Sequence, residues 1–243
     1  MRTKYFFLIL CFIAVANRAA VAQVEVELSA GYSAVDAETW NKAVQAFNTS
    51  RPWLNEKQGI VSDGQGLRAA VTLPFEPGYR VGAAWEFASG AAESAVFESG
   101  VNREIALTFN TFTALLEVQP FVLADSAAAA GDPLMSPWEY LSVQVGFGFN
   151  LVSGKVSYDG GTEELNGVPS DFSSEGIGLL VGAAYAIPIS DSFYITLNSR
   201  LTWMPSIDLA GFPEAIHNTP LVGLQSESIV LLVTSGAGIK LRL

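Results

Sequence analysis

The sequence predicts an all-β protein, an up-and-down antiparallel barrel of eight strands, from three observations. Apolar and polar residues alternate with a period of two in one segment after another. Long and short connections between these segments also alternate. Half of all residues are hydrophobic and only 15% are charged, yet no segment after the first residues holds the about 20 apolar residues of a spanning helix. Together these features favour a barrel that crosses a lipid bilayer with its strands.

The first 22 residues have the pattern of a secretory signal peptide. A positively charged start precedes a short apolar run, and an A-x-A pattern ends at Ala22. We therefore expect an exported protein with one barrel domain over residues 23–243. The first 22 residues hold three of the 13 basic residues and no acidic one, so the mature charge is 10 − 24 = −14. This charge argues against nucleic acid as a partner, and the single cysteine, Cys11, is removed with the signal.

The stretch "SFYITLNSRLTW" (192–203) shows the alternation most clearly. One parity is apolar and includes Phe193 and Trp203, while the other is polar and includes Arg200. In most segments the polar parity carries charged residues mixed with glycines. Glycine weakens a strand and packs nothing on a wet surface, but it makes room for long side chains inside a narrow barrel. We therefore expect the apolar face to meet lipid; a soluble lipocalin-like barrel with an apolar lumen is the alternative.

The eight predicted strands follow one another along the chain, and one of them is irregular. In chain order they cover residues 24–32, 67–73, 79–87, 105–118, 141–151, 177–187, 193–203 and 229–243. In the fourth, Ile105, Leu107 and Phe109 hold the apolar parity, which then switches to Leu116 and its neighbours. A β-bulge or a break into two strands would produce this switch. One bulged strand keeps the even strand count that is usual in such barrels.

Aromatic residues and connection lengths predict how the barrel is oriented. Two aromatic belts are expected at the membrane interfaces, made of Tyr32, Trp85, Phe87, Phe149 and Trp203 at one rim and Tyr79, Tyr185 and Phe193 at the other. The links 74–79 and 188–193 are short, 123–137 is longer than expected, and 36–66, 89–102, 158–175 and 208–225 are long. Since short turns are typical of the periplasmic side, we expect both termini there.

These features resemble, over the whole mature length, the small eight-stranded outer-membrane β-barrel family, the OmpA/OmpX/OmpW-like group with its porin-like barrel domain. The C-terminal "VTSGAGIKLRL" is similar to the insertion signal of such barrels, which usually ends in Phe or Trp where this chain has Leu243. The resemblance implies a multi-pass protein of the bacterial outer membrane, surrounded by outer-membrane lipid. We also expect a monomer.

The inward parity predicts what fills the lumen. The first and last strands must be neighbours in a closed barrel, so Glu27 is expected to pair with Lys240. The charge cluster expected at the periplasmic end contains Glu25, Glu27, Arg80, Lys240 and Arg242. The other inward polar residues are Arg68, Glu86, Gln144, Asn150 and Arg200. The outer half of the lumen turns apolar through Val152, Leu180, Met204, Val230 and Leu232.

The first outside loop contains a predicted helix, "DAETWNKAVQAFN". Asp36 suits its N-cap, and Trp40, Val44 and Phe47 share one helical face. The helix either packs over the barrel mouth or binds a partner or a lipid surface. Under the first interpretation, deletion of residues 37–48 should leave membrane insertion intact.

Candidate catalytic and metal-binding residues are few. His217 in the fourth outside loop has no hydroxyl partner in a hydrolase-like pattern. The third-loop acids match no calcium-loop spacing, these being Asp159, Glu163, Glu164, Asp171 and Glu175. We therefore expect no enzyme activity, cofactor or metal. Two functions remain open: a structural or interaction barrel that displays acidic loops to an extracellular ligand or surface partner, and a narrow route for uptake of small apolar molecules.

Overall fold

The protein is a closed barrel of eight antiparallel strands in sequence order. The computed structural model describes residues 23–96, 100, 102–122, 137–159, 171–208 and 227–243. The strands are β1 (Glu25–Ala37), β2 (Asp63–Glu76), β3 (Tyr79–Val96), β4 (Asn102–Val118), β5 (Leu141–Asp159), β6 (Asp171–Pro188), β7 (Phe193–Asp208) and β8 (Glu227–Arg242). Helix α1 (Glu38–Ser50) follows β1, and a short 3₁₀ helix (Pro137–Tyr140) precedes β5. The predicted fold class is confirmed.

Pairing of β1 with β8 closes the sheet. Glu25 lies opposite Arg242 and Ala37 lies opposite Val230, so the two strands pair along the whole of β1. Closure gives each of the eight described strands a neighbour on both sides, although the β6–β7 pairing covers only Leu179–Pro188 of β6; such closure limits edge-to-edge aggregation. We call the end of the barrel that carries Glu25 and Arg242 the terminal end, and the end that carries α1 the loop end.

The strands are longer than the sequence pattern predicts. β3 continues to Val96 and β4 begins at Asn102, so most of the predicted loop 89–102 is a strand hairpin. A tilted spanning strand needs about 9–11 residues, whereas β5 has 19. Beyond the part of each strand that carries outward apolar residues, the alternation of apolar and polar residues is lost. The backbone pairing between neighbouring strands continues there.

The predicted bulge or break in β4 is wrong. β4 is one strand, and its register with β5 is regular from Asn102 to Val118. Its odd-numbered residues are buried throughout, from Arg103 to Glu117. The parity does not switch; instead the lumen itself changes from apolar around Phe109 to polar around Thr111. Ile105, Leu107 and Phe109 therefore face inward.

The outward face of the barrel is apolar. Its exposed side chains include Leu28, Phe112, Phe147, Val181 and Leu197, each at least 49% exposed. Contiguous apolar surface on this scale is rare on soluble monomers. Exposed charged side chains of the described strands lie toward the strand ends, at Asp36, Asp63, Glu76, Glu104, Lys155 and Glu175.

No helix among the described residues is long and apolar enough to cross a membrane.

Helix α1 begins one residue later than the predicted cap implies. Asp36 belongs to β1, and the N-cap residue is Ala37, which provides no side-chain cap hydrogen bond. Strand pairing with β8 continues to Ala37, so β1 leads directly into the helix. After α1 the chain returns across the barrel mouth, where Glu56 forms a bridge to Val96 of β3.

Candidate functional site

Glu25 is the centre of one buried charge group at the terminal end. Its Oε2 lies 2.9 Å from Arg80 Nε and 3.5 Å from Lys240 Nζ. Its Oε1 accepts hydrogen bonds from Arg242 Nε at 3.1 Å and NH2 at 3.0 Å. Arg242 also lies over the ring of Tyr194, 5.2 Å from the centroid. The structure therefore brings four of the five residues expected in this cluster together.

Glu27 belongs to a second group, and the expected pair with Lys240 is wrong. The two residues are opposite each other in the β1–β8 register, but Glu27 Oε1 lies 2.9 Å from Arg68 NH1 and 3.3 Å from Arg200 NH2. Asn198 donates to the same oxygen at 3.3 Å. Register partners do meet elsewhere in the lumen, as Glu25 and Arg242 do. At Glu27, the tilt and stagger of the barrel strands bring Arg68 and Arg200 closer to its carboxylate than its register partner Lys240.

Glu117 joins the two groups, and sequence analysis did not single it out. It is 1% exposed; its Oε1 lies 3.2 Å from Arg80 NH1 and 3.4 Å from Lys240 Nζ. Its Oε2 accepts from Gln144, whose own Oε1 accepts from Arg200 Nε at 3.1 Å. The signal was present: with Leu116 facing outward, Glu117 must face the lumen.

Two other predicted polar residues lie nearer the middle of the lumen. Thr234 donates to Glu86 Oε1, and Thr111 donates to Asn150 Oδ1 at 2.6 Å. Glycine makes room for these long side chains as expected, since a Cβ at Gly182 would lie 2.6 Å from Arg200 Cγ. We call these charged and polar lumen side chains the polar network; its members are Glu25, Glu27, Arg68, Arg80, Glu86, Thr111, Glu117, Gln144, Asn150, Asn198, Arg200, Thr234, Lys240 and Arg242.

The loop half of the lumen is filled by apolar side chains. The five residues assigned to it by sequence analysis are 0–3% exposed, namely Val152, Leu180, Met204, Val230 and Leu232. They are joined by Ile105, Leu107 and Phe109 of β4, each at most 3% exposed. In the other strands the apolar parity faces outward, so the period of two alone does not identify these three as lumen residues.

The loop end is covered by residues 38–62, which we call the cap. Val44 and Phe47 of α1 are 4% and 5% exposed, and Val61 is fully buried. Asn48 and Gln58 fasten the cap internally, since Asn48 Nδ2 donates to the Gln58 carbonyl at 2.8 Å and Gln58 N–H donates to Asn48 Oδ1 at 2.9 Å. Trp40 lies in α1, but its side chain lies outside the described part.

Arg103 of β4 joins the cap to the barrel. It is 2% exposed, its guanidinium lies 4.2 Å from the centroid of the Phe47 ring, and its NH1 donates to Gln58 Oε1 at 3.0 Å. The contact between Arg103 and Gln58 could not be predicted from the sequence, because the two residues are 45 positions apart and meet only when the cap is folded.

The remaining predicted residues contribute no described site. His217, Glu163 and Glu164 lie outside the described residues, as do the side chains of Asp159 and Asp171. Glu175 is exposed. Within the part of the chain that the structure describes, no group of three or more His, Cys, Asp or Glu side chains could hold a metal ion.

The lumen is filled by ion-paired and polar side chains in the terminal half and by apolar side chains in the loop half. Of the described residues, four carboxylates and five cations are buried: Glu25, Glu27, Glu86 and Glu117 against Arg68, Arg80, Arg103, Arg200 and Lys240. Buried charges of one sign are costly unless they are paired, and here the two signs almost balance. The described lumen is thus occupied by paired charges in one half and by apolar side chains in the other.

Comparison with family models finds no match, and comparison with curated proteins finds none either. Solved structures do match. The attachment invasion locus protein Ail of Yersinia pestis, solved with the heparin analogue sucrose octasulfate, is 11% identical with a TM-score of 0.46; the alignment covers 90% of this chain and 98% of Ail. Neisserial surface protein A is 11% identical with a TM-score of 0.43, over 90% and 97% of the two chains. OprG from Pseudomonas aeruginosa is 12% identical with a TM-score of 0.43, over 93% and 99%.

The fold follows from the chain's own geometry: eight antiparallel strands closed on themselves, an apolar outward face, and a lumen filled with side chains. By its architecture, the chain has the fold of the small eight-stranded outer-membrane β-barrels.

Proposed function

We propose that the protein is an integral barrel of a bacterial outer membrane with a structural or interaction role and a closed lumen. The apolar outward face supports the membrane location, because lipid is the surroundings in which exposed Leu28, Phe147 and Val181 are favourable. Tyr32, Trp85 and Trp203 are also exposed on this face, where interfacial aromatic residues are expected.

The lengths of the connections between strands indicate how the barrel is oriented in the membrane. At the terminal end, tight turns join β2 to β3 and β6 to β7, and a longer segment, 119–140, joins β4 to β5. At the loop end the cap joins β1 to β2, residues 160–170 and 209–226 join β5 to β6 and β7 to β8, and the β3–β4 connection, 97–101, is short. Short periplasmic turns and longer outside connections are usual in such barrels. We therefore propose that the terminal end is periplasmic, after removal of residues 1–22, and that residues 23–243 form the mature barrel.

The filling of the lumen is the observation that carries the closed-barrel proposal. The polar network occupies the terminal half, and Phe109, Met204 and Phe47 are among the side chains that occupy the loop half. An eight-stranded barrel is just wide enough for side chains to fill its interior. Among the described residues, these side chains therefore leave no free path for a hydrated ion through either half.

Planar-bilayer recordings with the purified full-length mature protein test this proposal. We expect no unitary conductance from the wild type. A matched variant, in which a short linker replaces residues 38–62, should also be silent because the polar network still fills the terminal half. Reproducible unitary conductance of the wild type would overturn the closed-barrel proposal.

The second candidate, uptake of small apolar molecules, is favoured by the apolar lining of the loop half. Ile105, Leu107 and Leu232 are each at most 3% exposed there, but Phe47 and Val61 of the cap occupy the same space, and buried charges follow below it. Crystals soaked with a small apolar compound distinguish the candidates. Density between the cap and Phe109 would support uptake, whereas an unchanged interior supports the structural role.

The acidic balance of the chain bears on its extracellular partner. With 24 acidic and 13 basic residues, the chain favours a cationic partner over a polyanion such as the sulfated sugar bound to Ail. Binding of the purified protein to a cationic and an anionic polymer at two salt concentrations tests this preference. Tighter binding of the anionic polymer would contradict it. We expect a monomer, which light scattering of the detergent complex would measure.

A further inference from the structure

A small cavity lies in the middle of the lumen, beside a patch of glycines. Gly66, Gly31 and Gly236 are register neighbours on β2, β1 and β8, so the wall carries no side chains there. The cavity has a volume of about 10 Å³, and Arg68 and Glu86 are among its lining residues. A space of this size is about what one water molecule needs.

Two buried charged groups beside this cavity have atoms without hydrogen-bond partners. Arg68 is 3% exposed; its NH1 faces Glu27, but its Nε and NH2 have no hydrogen-bond partner among the described residues. Glu86 is also 3% exposed; Thr234 donates to its Oε1, and its Oε2 has no such partner in the described part of the chain. Buried polar atoms in native proteins are almost always satisfied, often by ordered water.

We propose that the cavity binds one internal water molecule that joins Arg68 to Glu86. The two residues are register partners on β2 and β3, so their side chains approach the cavity from adjacent strands. The water accepts a hydrogen bond from the Arg68 guanidinium and donates one to Glu86 Oε2. Arg68 needs a hydrogen-bond acceptor and Glu86 Oε2 needs a donor, and one water molecule can be both.

An anion fits this site less well than water. Arg68 and Arg200 are balanced by Glu27 and Glu86, so the cavity has no excess positive charge. An anion would face the carboxylate of Glu86, and it cannot donate the hydrogen bond that Oε2 lacks. A bound water avoids both costs and leaves the charge balance unchanged.

A crystal structure of the wild type, at a resolution that shows ordered water, tests the proposal directly. We expect density within hydrogen-bond distance of both Arg68 and Glu86 Oε2. Direct contact between Arg68 and Glu86 with the cavity closed would overturn the proposal. An anomalous peak at this position in a bromide-soaked crystal would also overturn it, because the site would then hold an anion.

The variant Gly66→Ala tests the site in solution. A Cβ at Gly66 would lie 3.7 Å from both its nearest neighbours, Phe87 O and Thr234 Cγ2, which is ordinary contact. If the water is bound, the methyl group displaces it and leaves Arg68 and Glu86 unsatisfied, so the folding equilibrium constant should fall about tenfold. If the cavity is dry, the same methyl group fills it and reduces the entropy of the unfolded chain, so stability should rise.

Gly66→Ser is the matched control. Its hydroxyl can both donate and accept at the position of the water, so it should recover part of the stability that Gly66→Ala loses. Unchanged or increased stability of Gly66→Ala would contradict the proposal. The wild-type crystal structure decides the matter independently if either variant fails to fold.

Discussion

In the terminal half of the lumen, charged side chains from different strands form ion pairs and hydrogen bonds with one another, whereas in the loop half apolar side chains pack against a cap. Glu25, Glu27 and Glu117 represent the first half, and Phe109 and Met204 represent the second; all five are at most 3% exposed. The same apolar outward face surrounds both halves. The outward residues are apolar along both halves because they share the same surroundings. The inward residues differ between the halves because they need only fill the lumen and match the side chains beside them.

The two halves should respond differently to substitution. A buried polar network is favourable only when each member keeps its partners, so removal of one member affects several others. Apolar packing loses contact area and gains a cavity, and the cost depends on how far the neighbours relax. Substitutions in the polar network should therefore cost more stability than truncations in the apolar half.

Glu27→Ala should produce the largest loss of stability. Arg68 and Arg200 would both lose the carboxylate that lies 2.9 Å and 3.3 Å from them. Removing one partner of a buried ion pair costs about 3–5 kcal/mol. Reversible urea unfolding of the barrel in lipid measures the loss. A loss as small as that of an exposed pair would show that water reaches this half and that the proposed division of the lumen is wrong.

Double-mutant cycles should separate side-chain partners from register partners. Glu27 and Arg68 are in contact, so Glu27→Ala with Arg68→Ala should show a coupling of about 0.5–3 kcal/mol. Glu27 and Lys240 are register partners without an ion pair and are linked through Glu117, Gln144 and Arg200, so their coupling should be smaller than that of Glu27 and Arg68. Recovery in the Glu27→Lys, Lys240→Glu double variant as large as the Glu27–Arg68 coupling would instead support a direct pair.

Phe109→Ala and Phe112→Ala compare the two faces of one strand. Phe109 is 1% exposed in the loop half of the lumen, and Phe112 is 50% exposed on the outward face. Both lose the same apolar area on truncation, but only Phe109→Ala leaves a cavity, because lipid can fill the space at Phe112. We expect Phe109→Ala to be the more destabilising by about 1–2 kcal/mol. Equal losses in urea unfolding would contradict the inward placement of Phe109.

Deletion of α1, residues 38–50, should leave the barrel able to insert. The strand register involves no residue of α1, so the heat-dependent shift in gel mobility should persist. The deletion removes Val44 and Phe47 from the loop half, and protease should then cut the remaining segment 51–62 faster. Loss of the folded gel form would show that the cap is needed for folding, contrary to this prediction.

The smallest effect concerns an exposed pair on the cap. The hydrogen bond and charge of Lys42 hold the pKa of Glu38 below its ordinary value. A lowered pKa contributes stability above the ordinary pKa of Glu, and this contribution is lost as the pH falls through the lowered pKa. NMR titration of the Glu38 carboxyl should show a lower midpoint than in Lys42→Ala. Equal midpoints would exclude the pair in solution, and unfolding stability should barely change in either case.

The strand count, the inward parity of most strands and many of the residues that fill the lumen can be predicted from the sequence alone. Arg68, Gln144 and Arg200 were assigned inward and are buried. Apolar residues such as Leu28 and Val181 were assigned outward and are exposed. These features are local, because the side chains of a strand alternate between its faces at every residue.

The tertiary structure decided which inward side chains meet. Glu27 contacts Arg200, 173 positions away, and Glu117 completes a group whose other members come from β1, β3 and β8. It also decided that Ile105, Leu107 and Phe109 face the lumen and that Arg103 holds the cap through Phe47 and Gln58. The period of two predicts which face of the sheet each side chain lies on. The tilt and stagger of the closed strands determine which side chains come into contact, and these contacts form only in the folded barrel.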